Sequence, residues 1–153
     1  MLFRSALHAP RVAARVSAVS SVEAVRDLAL THLRAAANVQ ALVCDGRDIG
    51  TKVFPDAEVK VFLVASAVER ARRRLLDSGR TPTEIRLSDE ADRLRARDQA
   101  DSTRALSPLR RAADAIEIDT THLTVDEASE RILALCRERG IDREDASGPP
   151  ALG

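Results

Sequence analysis

The sequence predicts an α/β fold in which a parallel sheet is flanked by helices. Three short apolar runs are typical of buried strands, and segments with helical periodicity and capping residues lie around them. The three runs that we interpret as strands are 39–44, 59–64 and 115–119. Because strands that alternate with helices form parallel sheets, this order along the chain indicates the α/β class.

The first two helices have recognisable end signals. One is predicted from about Ser21 to Ala37, where Ser20 precedes Glu23 by three residues and completes a capping box. We expect this helix to pack on the sheet or to border the site. The next helix follows the second strand, with Ser66 as its cap and Gly79 at its C-terminal end.

The last two helices are also capped. The segment "TPTE" offers Thr81 as an N-cap and a proline in the first turn, and the mostly charged helix after it is predicted to end at about Asp98. Thr124 with Glu127 caps the final helix. The tail 140–153 has few apolar residues, so we predict that it is disordered.

Composition excludes several classes of function. The 153 residues fit one domain, and without Trp or Tyr the core must consist of Leu, Val, Ile and Ala. Basic and acidic residues number 24 each, so no net charge favours nucleic acid or an anionic membrane. No apolar stretch reaches the roughly 18 residues of a membrane span. We therefore expect a cytoplasmic protein with no nucleic-acid or membrane partner.

A charged loop follows the first predicted strand, within "LVCDGRDIGTKVFPDA". Ligands of parallel sheets bind beyond the carboxyl ends of the strands, which is where 45–48 should lie. Arg47 can hold a phosphate with two parallel hydrogen bonds, and Asp48 can accept one from an amino group. The alternative is a local ion pair, and the loop by itself leaves both interpretations open.

Two further groups of charges lie on predicted helices. Arg97, Asp101 and Arg104 have the spacing that places side chains on one helical face. A ligand site and a surface row of salt bridges both fit that spacing. Four arginines at 70 and 72–74 follow the second strand, and a polar segment at 77–83 can serve as a lid. A solvated helix face is the alternative for this group.

The segments "DGRDIGTKVFPDAEVKVFLVAS", "RARRR" and "RDQADSTRALSPL" resemble, in order and spacing, those of bacterial cytidylate kinases, also called CMP kinases. The resemblance extends from about Arg4 to Arg139. It implies the nucleoside monophosphate kinase fold, which has a P-loop core, a mobile lid and a CMP-binding insert. The resemblance thus divides the chain into a partial kinase domain at 1–139, with the insert at 1–38 and the core and lid at 39–139.

The resemblance also implies an activity. Cytidylate kinases transfer the terminal phosphoryl group of ATP to CMP or dCMP with the help of Mg²⁺, and a complete enzyme is expected to be a monomer. The residues that the resemblance assigns to the cytosine are Ser17, Arg26 and Asp48. Those that it assigns to the phosphate are Arg47 and Arg104, and those that it assigns to the sugar are Arg97 and Asp101. Those that it places near the transferred phosphoryl group, on the lid helix, are Arg73 and Arg74.

One part of the family pattern is missing. The loop G-x-x-x-x-G-K-[ST], which wraps the ATP phosphates, has no counterpart, since the first glycine is Gly46 and no lysine precedes Lys52. We therefore expect a cytidylate kinase that is truncated at its N-terminus and inactive on its own. The alternatives are a nucleotide-binding module that acts through a partner and an inactive remnant of such a kinase.

Overall fold

Helices and a pair of parallel strands make up the described part of the chain. The structure, a computed structural model, describes Arg15, Val19 and the ranges 22–38 and 41–141. The chain divides into two units, Met1–Val43 and Cys44–Gly153.

Helix α1, Glu23–Ala37, belongs to the first unit. Its N-cap is Val22, with φ −80° and ψ 118°, and this residue makes no side-chain capping hydrogen bond. Ser20, the predicted capping residue, lies outside the described residues.

The second unit has the alternation of elements that the sequence predicts. Its elements, in order, are a π-helical turn at Ile49–Val53, strand β1 at Val61–Val64, helix α2 at Ala67–Asp77, helix α3 at Glu84–Thr103, strand β2 at Ile116–Asp119 and helix α4 at Val125–Glu138.

The two strands pair in parallel, and their register places Val61 opposite Ile116 and Leu63 opposite Ile118. Parallel pairing requires a long crossover connection, which helices α2 and α3 supply here. The predicted α/β class and the strands near 59–64 and 115–119 are therefore confirmed.

The strand predicted near 39–44 is not formed by the residues described there. Residues 41–45 have no regular secondary structure, and Val43 is fully exposed. A buried strand needs neighbours that pair with its backbone and cover its side chains. Within the described residues the sheet consists of β1 and β2 alone, so this apolar run has no such neighbours.

The helix ends agree with most of the predicted signals. Ser66 accepts a hydrogen bond of 3.2 Å from the backbone N–H of Glu69 at the start of α2. Gly79, with φ +70°, follows the end of α2 in the left-handed conformation that glycine adopts readily. Thr124 and Glu127 form the predicted capping box at the start of α4.

Helix α3 begins and ends later than predicted. Its N-cap is Thr83 rather than Thr81, because the Thr83 side chain is the one that accepts the N–H of Arg86. It continues past Asp98 to Thr103, because Asp101 is turned inward and held in the last turn. Even this helix of 20 residues is rich in charge, and no helix within the described ranges is both long and apolar enough to cross a membrane.

The packing of α2 on α3 forms the main aliphatic core of the second unit. Ala71, Ala91 and Leu94 are buried there, and Ala67 and Leu87 pack against them. Small side chains at a helix contact allow a close approach of the two helices. The polar face of α3 is thereby held beside the arginine-rich face of α2.

Candidate anion-binding site

The loop 45–48 brings Arg47 to helix α3. The Arg47 guanidinium forms an ion pair with the Asp101 carboxylate, and Asp101 is only 8% exposed. A Cβ atom at Gly46 would lie 2.8 Å from Cγ1 of Ile49, so a larger residue there would force the Ile49 side chain to shift. The ion pair therefore joins the loop 45–48 to the last turn of helix α3.

Three arginines surround the Asp101 carboxylate. Besides Arg47, the Nε atom of Arg97 lies 3.9 Å from Oδ2, and Nη1 of Arg104 lies 3.9 Å from Oδ1. The two longer separations are ion pairs without hydrogen-bond contact. Arg97 and Arg104 are thus attracted to Asp101 while their donors remain able to bind another group.

Arg104 is held on one side only. Its Nη2 atom donates a hydrogen bond of 2.7 Å to the backbone carbonyl of Ser107. Its Nε atom is buried and has no hydrogen-bond partner among the described residues. A buried N–H group without an acceptor is costly, so this atom is suited to an anionic ligand.

Arg70 belongs to the same cluster, although the sequence patterns predicted no ligand-binding role for it. Both of its terminal nitrogens contact the Asp98 carboxylate, with 3.2 Å between Nη2 and Oδ1. This bidentate pair joins α2 to α3 one helical turn before Asp101. The sequence feature that could have indicated this pair is the position of Asp98 three residues before Asp101, which places both carboxylates on one helical face.

The cluster has an excess of positive charge. The residues that form it are Arg47, Arg70, Arg97, Arg104, Asp98 and Asp101. Burial lowers the pKa of Arg47, repulsion by Arg97 lowers this pKa further, and the attraction of Asp98 raises it. Since arginine remains charged at neutral pH, the cluster has two more cations than anions, and it therefore favours an anion.

Asp48 is half-buried and lies next to Arg47 in the loop. Its backbone carbonyl accepts the N–H of Lys52 at 2.8 Å, at the start of the π-helical turn. This contact fixes the backbone from which the Arg47 and Asp48 side chains extend. The predicted contact of the Asp48 carboxylate with a cytosine stays a prediction.

Arg73 and Arg74 contact other groups than the cluster. The guanidinium of Arg73 donates to the carbonyls of Thr120 and Leu123, the latter at 3.3 Å, and pairs with Glu69. Nε of Arg74 lies 3.2 Å from Glu90 on α3. Their predicted role at the transferred phosphoryl group stays a prediction.

Two of the residues that the resemblance assigns to the cytosine belong to the first unit. Arg26 is half-buried on α1, in the first unit. Ser17 lies outside the described residues. The second unit therefore brings together Arg47, Arg97, Asp101 and Arg104 of the predicted substrate residues.

No group of three potential ligands that could hold a metal ion occurs among the described residues. The two carboxylates of the cluster, Asp98 and Asp101, face guanidinium groups, which repel a cation.

Comparison with known proteins identifies the family. A family model described as cytidylate kinase matches residues 2–138. A cytidylate kinase of Pseudomonas putida KT2440 is 47% identical over 130 residues, which are 85% of this chain and 57% of that protein. One of Limosilactobacillus fermentum is 48% identical over 83% of this chain and 57% of its own length.

A cytidylate kinase of Pseudomonas fluorescens Pf-5 gives the same result, with 48% identity over 86% of this chain and 57% of the relative. The chain thus spans a little more than half the length of the curated relatives that it matches. The resemblance expected from the motifs is confirmed, and the chain belongs to the cytidylate kinase family.

Proposed function

We propose that this chain forms the substrate side of a cytidylate kinase, which transfers the terminal phosphoryl group of ATP to CMP or dCMP to give CDP or dCDP. The observation that carries the proposal is the convergence of Arg47, Arg97 and Arg104 on Asp101. These are the positions that the family resemblance assigns to the phosphate and the sugar. Their excess positive charge suits a nucleoside monophosphate.

In this proposal Arg47 and Arg104 bind the phosphate of CMP. Arg104 supplies the buried Nε donor, and Arg47 is held in place by Asp101. Phosphoryl transfer depends mainly on positioning and on neutralisation of charge, which fixed guanidinium groups provide. Arg97 and Asp101 bind the sugar at the end of α3.

The cytosine is bound, in this proposal, by Asp48 together with Ser17 and Arg26. Cytosine presents an amino group where uracil presents a carbonyl, so a carboxylate at Asp48 favours cytosine. Arg73 and Arg74 act near the transferred phosphoryl group after movement of the lid. The domain then comprises the CMP-binding insert at 1–38 and the core and lid at 39–139.

ATP is the second substrate, with Mg²⁺ on its phosphates, in a monomeric cytoplasmic enzyme. The printed 153 residues contain no G-x-x-x-x-G-K-[ST] loop, which in P-loop kinases binds the ATP phosphates. We therefore propose that these residues bind CMP and do not phosphorylate it by themselves. A nucleotide-binding module without catalysis is the second candidate, favoured by the presence of the substrate-side residues in a sequence without that loop.

Titration calorimetry with CMP, UMP and cytidine tests the proposal. CMP should bind more tightly than UMP, because of the amino group, and more tightly than cytidine, because of the phosphate. Arg47→Lys should weaken CMP binding about tenfold through loss of bidentate contact, while Arg95→Lys, at an exposed position of helix α3, should not. Equal affinity for all three ligands would rule the proposal out.

To separate the two candidates, an N-terminal segment that contains a G-x-x-x-x-G-K-[ST] loop is joined to the chain. Phosphorylation of CMP by the fusion supports the kinase. Binding of CMP without turnover by a folded fusion supports the module.

A further inference from the structure

The turn that follows helix α3 contains a buried residue in an unusual conformation. Ser107 has φ +51°, in the left-handed region, and is 2% exposed. Among the described residues it is the only one other than glycine with positive φ. Side chains rarely adopt this region, and such residues concentrate at binding sites where surrounding contacts enforce them.

Pro108 follows Ser107 and disfavours the right-handed helical region for it, so no helix continues through this position. The chain turns back instead, and the N–H of Leu109 donates a hydrogen bond of 2.9 Å to the carbonyl of Asp101. That bond satisfies one of the carbonyls left open at the end of a helix.

The same turn holds Arg104. The Ser107 carbonyl accepts from Nη2 at 2.7 Å, while Nη1 lies 3.9 Å from Asp101 and Nε is buried without a partner in the described part of the chain. The guanidinium is a rigid plane with five N–H donors, so fixing one corner fixes the direction of the others. Ser107 and Leu109 of this turn thus contact two site residues, Arg104 and Asp101 respectively.

We propose that Ser107 is a positioning residue for the substrate phosphate. Its left-handed backbone directs its carbonyl at Nη2 of Arg104, and this contact leaves Nε and Nη1 oriented toward the anion. The role belongs to the backbone conformation and not to the hydroxyl group. The inference rests on the proposed function, because it takes the anion to be the phosphate of CMP.

Substitutions at position 107 separate the backbone from the side chain. Ser107→Val places a β-branched residue where φ is positive, which should move the carbonyl away from Arg104. Ser107→Ala removes the hydroxyl alone, and Ser107→Gly permits the same φ without a Cβ atom. Ser129→Val, at an exposed position of α4, is the matched control.

The readout is the affinity for CMP, for cytidine and for inorganic phosphate, measured by calorimetry beside the melting temperature. The valine variant should lose about tenfold in affinity for CMP and for phosphate, and its affinity for cytidine should not change. A tenfold loss is the lower end of the range expected for one charge-assisted hydrogen bond. The alanine, glycine and control variants should keep the affinity for CMP within about threefold. In an Arg104→Ala background the valine change should have no further effect on CMP.

Each other outcome has a definite meaning. If the valine variant melts earlier but keeps the ratio of CMP to cytidine affinity, Ser107 is only structural and the inference is wrong. Loss of phosphate binding in the alanine variant would assign the role to the hydroxyl and also overturn it. If the parent chain binds phosphate but does not prefer CMP to UMP, the proposed function fails. The phosphate affinities of the position 107 variants then still test the inference.

A parent chain that binds neither CMP nor phosphate would overturn both proposals. Should Ser107→Val fail to fold, Ser107→Thr carries the same test, since threonine is also β-branched but keeps the hydroxyl.

Discussion

Arg47 and Asp101 form an ion pair that joins the loop 45–48 to the last turn of helix α3. Asp101 is almost completely buried, and Arg97 and Arg104 approach it from its own helix. One carboxylate therefore offsets the repulsion among three guanidinium groups. The loop and the helix end share this carboxylate, so the geometry of the site depends on it.

Replacement of Asp101 by asparagine should destabilise the protein. Asp101→Asn keeps the shape but leaves the three arginines without their shared anion. We expect the free energy of unfolding to fall by about 3 kcal/mol, the lower end for a broken buried ion pair, because Arg47 is partly exposed. Urea denaturation measures the change.

The matched control for that experiment is Asp92→Asn on the same helix, where the pair with Arg95 is exposed and should contribute less than about 0.5 kcal/mol. Inorganic phosphate should restore part of the stability lost in Asp101→Asn, since it can replace the missing anion. Equal stability of the two variants would contradict a central role for Asp101.

Removal of the Asp48 carboxylate should weaken recognition of the base. In the kinase completed by a glycine-rich loop, Asp48→Ala should raise KM for CMP roughly ten- to hundredfold, as one charge-assisted hydrogen bond is lost, with little change for ATP. Asp45→Ala, in the same loop but exposed, is the control. Similar losses toward CMP and ATP would instead indicate that Asp48 maintains the loop structure.

Stability at acidic pH should depend on Glu69. Hydrogen bonds from Arg72, and then from Arg73, lower the pKa of Glu69 from 4.5 to about 2. Because the pKa is lower in the folded state, this carboxylate stabilises the protein above pH 4.5, and the contribution is lost as the pH falls toward 2.

Glu69→Gln should therefore be less stable than the parent at pH 7 and approach it near pH 2. Urea denaturation curves recorded between pH 7 and pH 2 measure the difference in the free energy of unfolding between Glu69→Gln and the parent. Glu130→Gln, with an exposed side chain 3.8 Å from Arg137, is the control. A constant difference between Glu69→Gln and the parent at all pH values would contradict the assignment.

Arg73 should contribute more to stability than its neighbour Arg72. Its guanidinium joins α2 to the carbonyls of Thr120 and Leu123, whereas Arg72 pairs with Glu69 within the helix. Arg73→Lys should lower the free energy of unfolding by about 1–2 kcal/mol, and Arg72→Lys by less. If the predicted lid role also holds, Arg73→Lys in the completed kinase should lower kcat by more than its loss of stability explains.

Residues 1–153 expressed alone should not phosphorylate CMP at a useful rate. An ATP site of the P-loop type needs backbone N–H donors of a glycine-rich loop, a lysine and a hydroxyl group, and the sequence has no such loop. Release of ADP in the presence of ATP and CMP is compared with that of the chain joined to a segment that contains a G-x-x-x-x-G-K-[ST] loop. Comparable turnover by the short chain would require a phosphate site elsewhere in these residues.

Local signals in the sequence account for much of the fold. The caps at Ser66 and Thr124 and the glycine after α2 involve residues within a few positions of one another, so their chemistry can be inferred without knowledge of distant segments. The strands β1 and β2 lie within the predicted ranges for the same reason. The prediction of a strand near 39–44 was wrong, because burial of a strand depends on neighbouring segments, which cannot be inferred from the hydrophobic pattern of the strand itself.

The sequence by itself determined the α/β class, the family and the segments that carry the candidate site. Periodicity and capping depend on residues close together in the sequence, and the order of the motifs can be read along the chain. Only the tertiary structure decided that Arg47 reaches Asp101, that Arg70 pairs with Asp98, and that Arg73 contacts the turn after β2. It also revealed the left-handed Ser107 and its bond to Arg104. The physical reason is that an arginine side chain is long and can bind any nearby acceptor, so its partner is set by how the helices and loops pack around it.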